Sequence, residues 1–343
     1  MSQQPFSSHS PLQAGYVLDV YQFERVLGSP GSFGVTYAAR DKGSRARVAI
    51  KELFPSDLVV RSRSGKVLIQ TSADEPVFLE AMRMFRQEAS ILSQVRHENV
   101  VRVIDYLETN GTAYMVMEYE EGYDLNEHLE MQKPQRPNEN ELRKLLMPLL
   151  DGLEAVHNLN YLHRDIKPSN LYLTRQHRLM LLDFGAARQV VVSRSRPVTE
   201  ILTPPYGPIE QYGQTLPQGP FTDIYAIGVV LFSAMLGEKF PNAPDRLRRD
   251  AFVPLRQRLR GREYSDQFLA AVDWALQVRG QDRPQTIAAW REAFSKPEPA
   301  FTTFTRRLRE NDGLLLWKTV AIAALIFFAI GILTILVTAV LNR

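Results

Sequence analysis

Short runs rich in apolar, β-branched and aromatic residues, with polar residues between them, occur over the first part of the chain. Such runs are typical of strands, so they predict strands at residues 21–27, 35–39, 48–53 and 114–118. A helical spacing predicts one helix at residues 83–94. The segment SRSGKVLIQ, between the third strand and this helix, indicates an inserted hairpin.

Helical patterns dominate from there to about residue 295. The clearest is at residues 141–157, where one stripe of apolar side chains predicts an amphipathic helix that faces the core. The stripe consists of Leu142, Leu145, Leu146, Leu149, Leu150, Leu153 and Val156. Pro148 lies inside this helix and removes one of its backbone hydrogen bonds. The pattern therefore predicts one unit that contains both strands and helices.

The end of the chain has a different composition. Residues 319–341 are 23 residues without a charged side chain. As a helix they would extend about 34 Å, enough to cross a hydrocarbon core of about 30 Å, and we expect a transmembrane helix at 314–341. A buried core helix is the alternative. Because basic residues precede the span, the positive-inside rule predicts that the large N-terminal part is cytoplasmic. These residues are Arg306, Arg307, Arg309 and Lys318.

Composition excludes several classes of protein. Hydrophobic residues make up 45% of the chain and charged residues 23%, close to the globular average, which excludes general disorder. The absence of Cys excludes disulfides, thiolate zinc sites and cysteine nucleophiles. A formal net charge of +3 gives no ground for nucleic-acid binding, so we expect no nucleic-acid partner. Residues 1–14 are expected to be a flexible leader and residues 296–313 a juxtamembrane linker.

Two features of the first strands point to phosphate binding. Gly28, Gly31 and Gly34 lie between two strands, where backbone N–H groups can approach phosphate oxygens because no Cβ intervenes. Lys51 ends the strand VAIK and can deliver an ammonium group to phosphates, with Glu88 on the following helix as the carboxylate that holds it. An ordinary glycine-rich hairpin, an exposed strand end and a solvated helix charge are the alternatives.

A run of charged and polar residues follows the amphipathic helix. The segment LHRDIKPSN, residues 162–170, places His, Arg, Asp, Lys and Asn at fixed offsets, and the sequence DFG follows an apolar run at 183–185. Asn170 and Asp183, on loops that close a hairpin, can supply the hard oxygen ligands that Mg²⁺ prefers. These residues therefore predict a site for magnesium and phosphate.

Taken in order, these motifs resemble those of the bacterial eukaryotic-like (Hanks-type) serine/threonine protein kinases. The resemblance covers about residues 15–295 and includes FGVTYAA, VAIKELFPSDL, HRDIKPSN, LLDFGAAR and TPPYGPIEQY. It implies an α+β, two-lobed protein kinase fold, with a small β-rich N-lobe at about 15–119 and a larger helical C-lobe at about 120–295. With the transmembrane helix added, the implied function is a membrane-anchored kinase that transfers the γ-phosphoryl group of ATP to protein Ser/Thr hydroxyls and autophosphorylates. ATP and Mg²⁺ are the implied cofactors.

The resemblance also implies roles for matching residues. Asp165 would accept the proton of the substrate hydroxyl, with Lys167 beside it. Asn170 and Asp183 would bind Mg²⁺, and Met117 would be the gatekeeper of the adenine pocket. The residues implied in nucleotide binding are Gly28, Ser29, Gly31, Gly34, Thr36, Ala49, Lys51, Glu88, Met117, Glu118 and Glu120.

The same resemblance implies a mode of regulation, and together with the uncharged span and its basic flank it implies a location. Arg164 resembles the arginine of kinases whose activation segment is ordered by a phosphate, and Ser193, Ser195 and Thr199 are the candidate phosphosites. The expected location is the bacterial inner (cytoplasmic) membrane, crossed once, with the kinase domain on the cytoplasmic side. Protein substrates are the expected partners, and a homodimer through the membrane span is left open.

The chain departs from the family pattern in places. The glycine-rich loop is one residue longer than the family spacing, which leaves the affinity for ATP open, and PIE at 208–210 replaces Ala-Pro-Glu. We expect a buried ion pair between Glu210 and Arg283. Residues 244–262 contain seven Arg against two Asp, a net of +5, and form either a solvated helix face or a surface for an acidic substrate or anionic lipid. A pseudokinase scaffold that recruits partners to the membrane and a small-molecule phosphotransferase are the alternative functions.

Overall fold

The structure is a computed structural model that describes residues 10–28, 31, 33–185, 204–213, 216–259 and 263–295. Apart from Ser295, these residues belong to the unit Met1–Phe294. Among them, no helix is long and apolar enough to cross a membrane. The predicted linker and transmembrane helix lie outside the described residues, as does most of the predicted leader.

Eight strands precede the first long stretch of helices, and six of them form one antiparallel sheet. The strands are β1 (Val17–Leu18), β2 (Tyr21–Leu27), β3 (Gly34–Asp41), β4 (Arg47–Leu53), β5 (Val59–Arg61), β6 (Val67–Ile69), β7 (Val103–Thr109) and β8 (Thr112–Glu118). The order in the large sheet is β1-β2-β3-β4-β8-β7. All four predicted strands are present, and β1 and β7 are two additional ones.

The two faces of the large sheet bury different side chains because successive strand residues point to opposite sides. On the outer face, Phe23, Tyr37 and Ile50 are buried in a cluster that also includes Leu12 of the N-terminal segment. On the inner face, Met115 and Met117 join the larger core of the molecule. The sheet is therefore covered on both sides, and its inner face is the one that meets the helices.

A hairpin and a helix connect β4 to β7. Strands β5 and β6 pair antiparallel and form the hairpin that the sequence indicates. Helix α1 (Glu75–Leu92) begins earlier than the predicted helix at 83–94, because Pro76 in its first turn is a favoured start. Its buried stripe is Val77, Phe78, Ala81, Phe85, Glu88, Ala89 and Leu92.

The second half of the structure is mainly helical, as the patterns predict. Its strands and α-helices are β9 (Gly122–Asp124), α2 (Leu125–Gln132), α3 (Glu139–His157), β10 (Leu171–Thr174), β11 (Leu179–Leu181), α4 (Pro220–Leu236), α5 (Ala243–Arg248), α6 (Leu255–Arg258), α7 (Asp266–Ala275) and α8 (Ile287–Ala293). A three-stranded sheet, in the order β11-β10-β9, lies at the start of this half.

Helices α3 and α4 are the core of this lobe. Helix α3 starts with a capping box, in which the Asn138 side chain accepts from the Glu141 N–H and the Glu141 carboxylate accepts from the Asn138 N–H. It continues through Pro148 to His157. Helix α4 is apolar on all sides and nearly all of it is buried, as expected of a central helix. The observed architecture is the two-lobed arrangement that the sequence predicts.

Two arginines of the helical lobe are buried in ion pairs. Arg283 donates to Glu210 at 2.8 Å, which confirms the expected pair. Arg246 donates to Asp250 at 2.9 Å and to the Leu276 carbonyl at 2.6 Å, and it is only 3% exposed. Within the basic segment 244–262, Arg246 is therefore part of the core and is not available to an acidic substrate or a lipid.

Candidate active site

The inner face of the large sheet brings together the residues predicted to hold a nucleotide. Strand register places Thr36 opposite Lys51, and Ala49 opposite both Ala38 and Met117. Cross-strand partners share a face of the sheet, so these side chains lie on the inner face, from which Lys51 reaches Asp183 of the helical lobe; the space between that face and the lobe is called the cleft below. Val35 points to the outer core instead. The structure thus puts Thr36, Ala49, Lys51 and Met117 on the same side.

The glycine-rich loop joins β2 to β3 at the edge of this surface. Gly28 has φ +64°, and Gly31 donates its N–H to the Gly34 carbonyl at 3.1 Å. A Cβ at Gly34 would lie 2.5 Å from the Glu52 carbonyl oxygen, so close packing against β4 requires a glycine there. Ser29, also predicted to contact the nucleotide, lies outside the described residues.

Lys51 lies between two carboxylates at the centre of the cleft. Its Nζ is 3.0 Å from Asp183 Oδ1 and 3.6 Å from Glu88 Oε1, and Glu88 is 1% exposed. Burial acts to lower the pKa of Lys51, but the two carboxylates outweigh it and raise that pKa above its usual value. The ammonium group is therefore charged and fixed in direction, as phosphate binding requires.

Residues 163–170, called the catalytic loop below, are held in place by a carboxylate that was not predicted from the sequence. Asp223, in the first turn of α4, accepts from the backbone N–H groups of His163 (2.9 Å) and Arg164 (2.8 Å). Its Oδ2 also lies 2.8 Å from Nε2 of His157. Burial acts to raise the pKa of Asp223, but the hydrogen bonds and charge of His157 and the other neighbours hold it below its usual value. Arg164 has φ +65°, and its bond to Asp223 helps to stabilise that uncommon conformation.

His163 connects the loop to the DFG segment. Its Nε2 donates to the Leu182 carbonyl at 2.8 Å, and its ring stacks on Phe184 at 4.3 Å. Burial lowers the pKa of His163, which keeps the imidazole neutral. The role of His163 is therefore structural, and it fixes the distance between the loop and Asp183.

Asp165, Lys167 and Asn170 converge at the mouth of the cleft. Asp165 Oδ2 accepts from Lys167 Nζ and from Asn170 Nδ2, both at 3.0 Å. Asn170 Nδ2 also donates to the Asp165 carbonyl at 2.8 Å. A Cβ at Gly185 would lie 2.9 Å from the Asp165 Cβ, so only glycine fits there. The predicted base, its lysine and the two predicted metal ligands are thus in one constellation with Lys51.

The donor set fits Mg²⁺ and ATP phosphates. Because Asn170 uses its amide nitrogen within the loop, its oxygen is the atom left to act as a ligand. Asp183 provides a carboxylate that is 47% exposed and therefore open to the cleft. The surrounding protein removes part of the water around this carboxylate, which acts to raise the pKa of Asp183, but the charge and hydrogen bond of Lys51 outweigh that effect and hold the pKa below its usual value, so the group is ionised at neutral pH. Two hard oxygen donors beside a fixed ammonium group match what magnesium–phosphate binding needs.

The segment after β8 makes contacts that bear on adenine binding. Glu118 N–H donates to the Arg102 carbonyl at 3.0 Å, and the Glu118 carboxylate pairs with Arg102. The Glu120 carboxylate pairs with Arg178 at 2.9 Å, and the Glu120 carbonyl accepts from the Tyr172 hydroxyl at 3.2 Å. Both side chains are engaged outside the cleft, so any contact with adenine must come from backbone atoms.

Of the activation segment, residues 183–212, the structure describes residues 183–185 and 204–212. Ser193, Ser195 and Thr199 lie outside the described residues. The sequence PIE at 208–210 leads into a 3₁₀ turn at Ile209–Gln211, where Gln211 donates to the Arg164 carbonyl at 2.7 Å. Gln211 is a second residue that the sequence argument missed, because its partner lies far away in the chain.

Comparison with known proteins agrees with this geometry. The family model described as protein kinase domain matches residues 21–294. Serine/threonine-protein kinase Nek3 of Mus musculus is 31% identical over 215 residues, which are 63% of this chain and 37% of that protein. Cyclin-dependent kinase 7 of Dictyostelium discoideum is 32% identical over 223 residues, 64% of this chain and 56% of that protein. The chain thus spans about a third to a half of these two relatives.

Solved structures give the same result. The apo form of PpkA-294 has 35% sequence identity and a TM-score of 0.76, and the match covers 83% of this chain and 99% of that one. The PknI kinase domain of M. tuberculosis, at 22% identity and a TM-score of 0.60, covers 83% and 98% respectively and shows the likeness of fold. The predicted resemblance to Hanks-type serine/threonine kinases is confirmed, and the chain belongs to the protein kinase family.

Proposed function

We propose that this protein transfers the γ-phosphoryl group of ATP to Ser and Thr hydroxyls of protein substrates, and that it also phosphorylates itself. The observation that carries the proposal is the single constellation of Asp165, Lys167 and Asn170 with the Lys51–Asp183 pair, in which Lys51 Nζ is 3.0 Å from Asp183. Every charged group that phosphoryl transfer requires is present there.

Each residue of the constellation has a chemical task. Asp165 accepts the proton of the attacking hydroxyl as the new oxygen–phosphorus bond forms and the bond to the β-phosphate oxygen breaks. Lys51 neutralises the α- and β-phosphates, and Lys167, 3.0 Å from Asp165, places a second cation beside the transferred group. Mg²⁺, when held by Asn170 and Asp183, would neutralise charge that develops on the phosphate oxygens.

A labelling experiment on the full chain tests the proposal. The protein in detergent is incubated with γ-labelled ATP, Mg²⁺ and a generic protein substrate, and the labelled amino acids are identified. Label on phosphoserine and phosphothreonine supports the proposal. Label only on small-molecule acceptors would favour a metabolite phosphotransferase, and nucleotide-dependent thermal stabilisation without any transfer would favour a scaffold.

We propose further that a phosphate on Ser193, Ser195 or Thr199 activates the enzyme by pairing with Arg164. The Nε atom of Arg164 is buried and has no hydrogen-bond partner among the described residues. A buried guanidinium atom without a partner is costly, and a phosphate would satisfy it with charge-assisted hydrogen bonds. Mass spectrometry of the autophosphorylated protein, with each site changed to Ala in turn, tests the assignment; no phosphate at all three sites contradicts it.

We also propose that the protein is anchored once in the bacterial inner membrane, with the catalytic domain on the cytoplasmic side. The support is the uncharged 23-residue stretch at 319–341 and the basic residues before it. Carbonate extraction of membranes, and protease access from either side, test this proposal. Cross-linking in the same membranes tests whether two copies associate through the span as a homodimer.

A further inference from the structure

A buried ion pair lies outside the catalytic constellation, on the outer face of the large sheet. Arg61 donates to both carboxylate oxygens of Glu52, at 2.6 and 2.9 Å. Glu52 is 0% exposed and Arg61 4% exposed. Removing both charges from water is costly, and apolar residues of similar volume often serve stability as well or better. The pair therefore calls for an explanation other than stability alone.

Further hydrogen bonds satisfy this pair almost completely. Glu52 also accepts from the hydroxyls of Tyr37 (2.8 Å) and Tyr114 (2.9 Å), on the strands to either side of β4. Arg61 Nε donates to the Ser10 carbonyl at 2.9 Å, and its Nη1 donates to the Gly65 carbonyl at 3.1 Å. One network thus joins the N-terminal segment, the β5–β6 hairpin and three neighbouring strands of the sheet.

The network is adjacent in sequence to the cleft. Glu52 follows Lys51 directly on β4, and successive strand residues point to opposite faces. Lys51 therefore points into the cleft, while the side chain of Glu52, the next residue of β4, is held by the network on the opposite face of the sheet. Whatever fixes Glu52 also fixes the strand position from which the Lys51 ammonium group reaches Asp183 and Glu88.

The hairpin that carries Arg61 is also connected to helix α1. Val59 and Val67 of the hairpin are buried in the same hydrophobic cluster as Val77, Phe78 and Ala81 of the first turns of α1. Only residues 70–74 connect the end of β6 to the start of α1. In that connection the Thr71 hydroxyl donates to Asp74 at 2.7 Å. The hairpin therefore lies directly before the helix that presents Glu88 and shares the larger core with it.

We propose that Arg61 is a positioning residue for the Lys51–Glu88 pair. By clamping the hairpin to Glu52, it holds β4 and α1 at the spacing at which Lys51 reaches Glu88 at 3.6 Å and Asp183 at 3.0 Å. The inserted hairpin thus supports the nucleotide site through Glu52 and β4. This inference rests on the proposed kinase function.

The first test compares two variants of the full chain. Arg61→Lys keeps the charge but cannot make the bidentate contact with Glu52. We expect kcat/KM for ATP to fall on the order of tenfold, with the affinity for ATP measured by calorimetry falling in parallel. Leu18→Ala is the control, since Leu18 is a buried member of the same outer core and its side chain makes no hydrogen bond to the pair. It should lower the unfolding temperature without changing kcat/KM by more than about twofold.

The second test separates positioning from simple stability. If Arg61 acts through Glu88, then Arg61→Lys in a Glu88→Gln background should cost less than about twofold in kcat/KM, because the pair it positions is already broken. An equal loss in both backgrounds, or a loss of stability alone, overturns the proposal. Should Arg61→Lys fail to fold, Val59→Ala loosens the hairpin against the core and takes its place in the same cycle. If the wild type binds ATP but transfers no phosphate, the proposed function fails, whereas the ATP affinities still decide the positioning role.

Discussion

Asp223 offers the sharpest mutational prediction, because one carboxylate fixes the catalytic loop through three contacts. Its Oδ1 accepts from Arg164 N–H at 2.8 Å, and its Oδ2 accepts from His163 N–H at 2.9 Å and lies 2.8 Å from His157 Nε2. In Asp223→Asn, one of the two oxygens becomes an NH₂ group that faces a donor. At least one contact is lost and a buried N–H is left without an acceptor.

The size of the effect follows from those contacts. A hydrogen bond to a charged group contributes about 1.5–3 kcal/mol, and an orphaned buried donor costs a further 1–3, so we expect a loss of about 3 kcal/mol in the free energy of unfolding. For a domain of this size, in which each kcal/mol shifts the unfolding temperature by about 2 °C, that lowers it by roughly 5–6 °C. Because Arg164 directly precedes Asp165, the loop also shifts, and a displacement near 1 Å can lower kcat by about 100-fold.

Calorimetry and steady-state kinetics, run well below both unfolding temperatures, check this prediction. Asp273→Asn is the matched control, since Asp273 is also buried and accepts from the N–H groups of Leu255 (2.7 Å) and Arg256 (3.3 Å), away from the catalytic loop. The control should lose stability and keep its kcat. If Asp223→Asn keeps full kcat while folded, or if both variants lose kcat equally, the positioning argument is refuted.

Three further predictions follow. Gly185→Ala should lose most activity while the protein still folds, because the new Cβ would lie 2.9 Å from a catalytic-loop Cβ; circular dichroism and the kinase assay together check it. Lys51→Met should raise the pKa of Asp183, because the Lys51 cation now lowers it. In the wild type, the ionised carboxylate stabilises the fold at pH values above its unfolded pKa near 3.9. That stabilisation is lost as the pH falls through the lower pKa of Asp183 in the folded state. A carbon-13 NMR titration that finds equal pKa values in both proteins would contradict that prediction. Arg283→Met should cost about 3–5 kcal/mol, since it leaves Glu210 buried without its cation, and urea unfolding should detect it; a loss below about 1 kcal/mol would be inconsistent with a buried pair.

Much of the site could be predicted because its residues lie close together in sequence. The segment LHRDIKPSN carries Asp165, Lys167 and Asn170 within six positions, and a short loop fixes their geometry locally. The strands around Lys51 are short runs rich in apolar and β-branched residues, which are typical of strands in a sheet covered on both faces. For these residues, local sequence and local structure determine each other.

The remainder depends on contacts between distant parts of the chain. Asp223 reaches Arg164 across 59 residues, and it stands in an apolar helix as a single acidic residue with no local sign of its partner. Strand β7 was not predicted, because its pairing with β8 shifts between Val103 and Asp105 and this irregularity interrupts the regular order of apolar and polar residues. Arg61 likewise resembles an ordinary surface arginine until the fold buries it against Glu52.

The most direct test of the proposed kinase activity compares two rates. They are the rates at which the full chain and its Asp165→Asn variant transfer labelled phosphate from ATP to protein Ser and Thr at the same Mg²⁺ concentration. We expect transfer by the wild type and a rate about 10² to 10⁴-fold lower for the variant, with ATP binding retained. Transfer at equal rates by both proteins, or no transfer by the wild type, would contradict it.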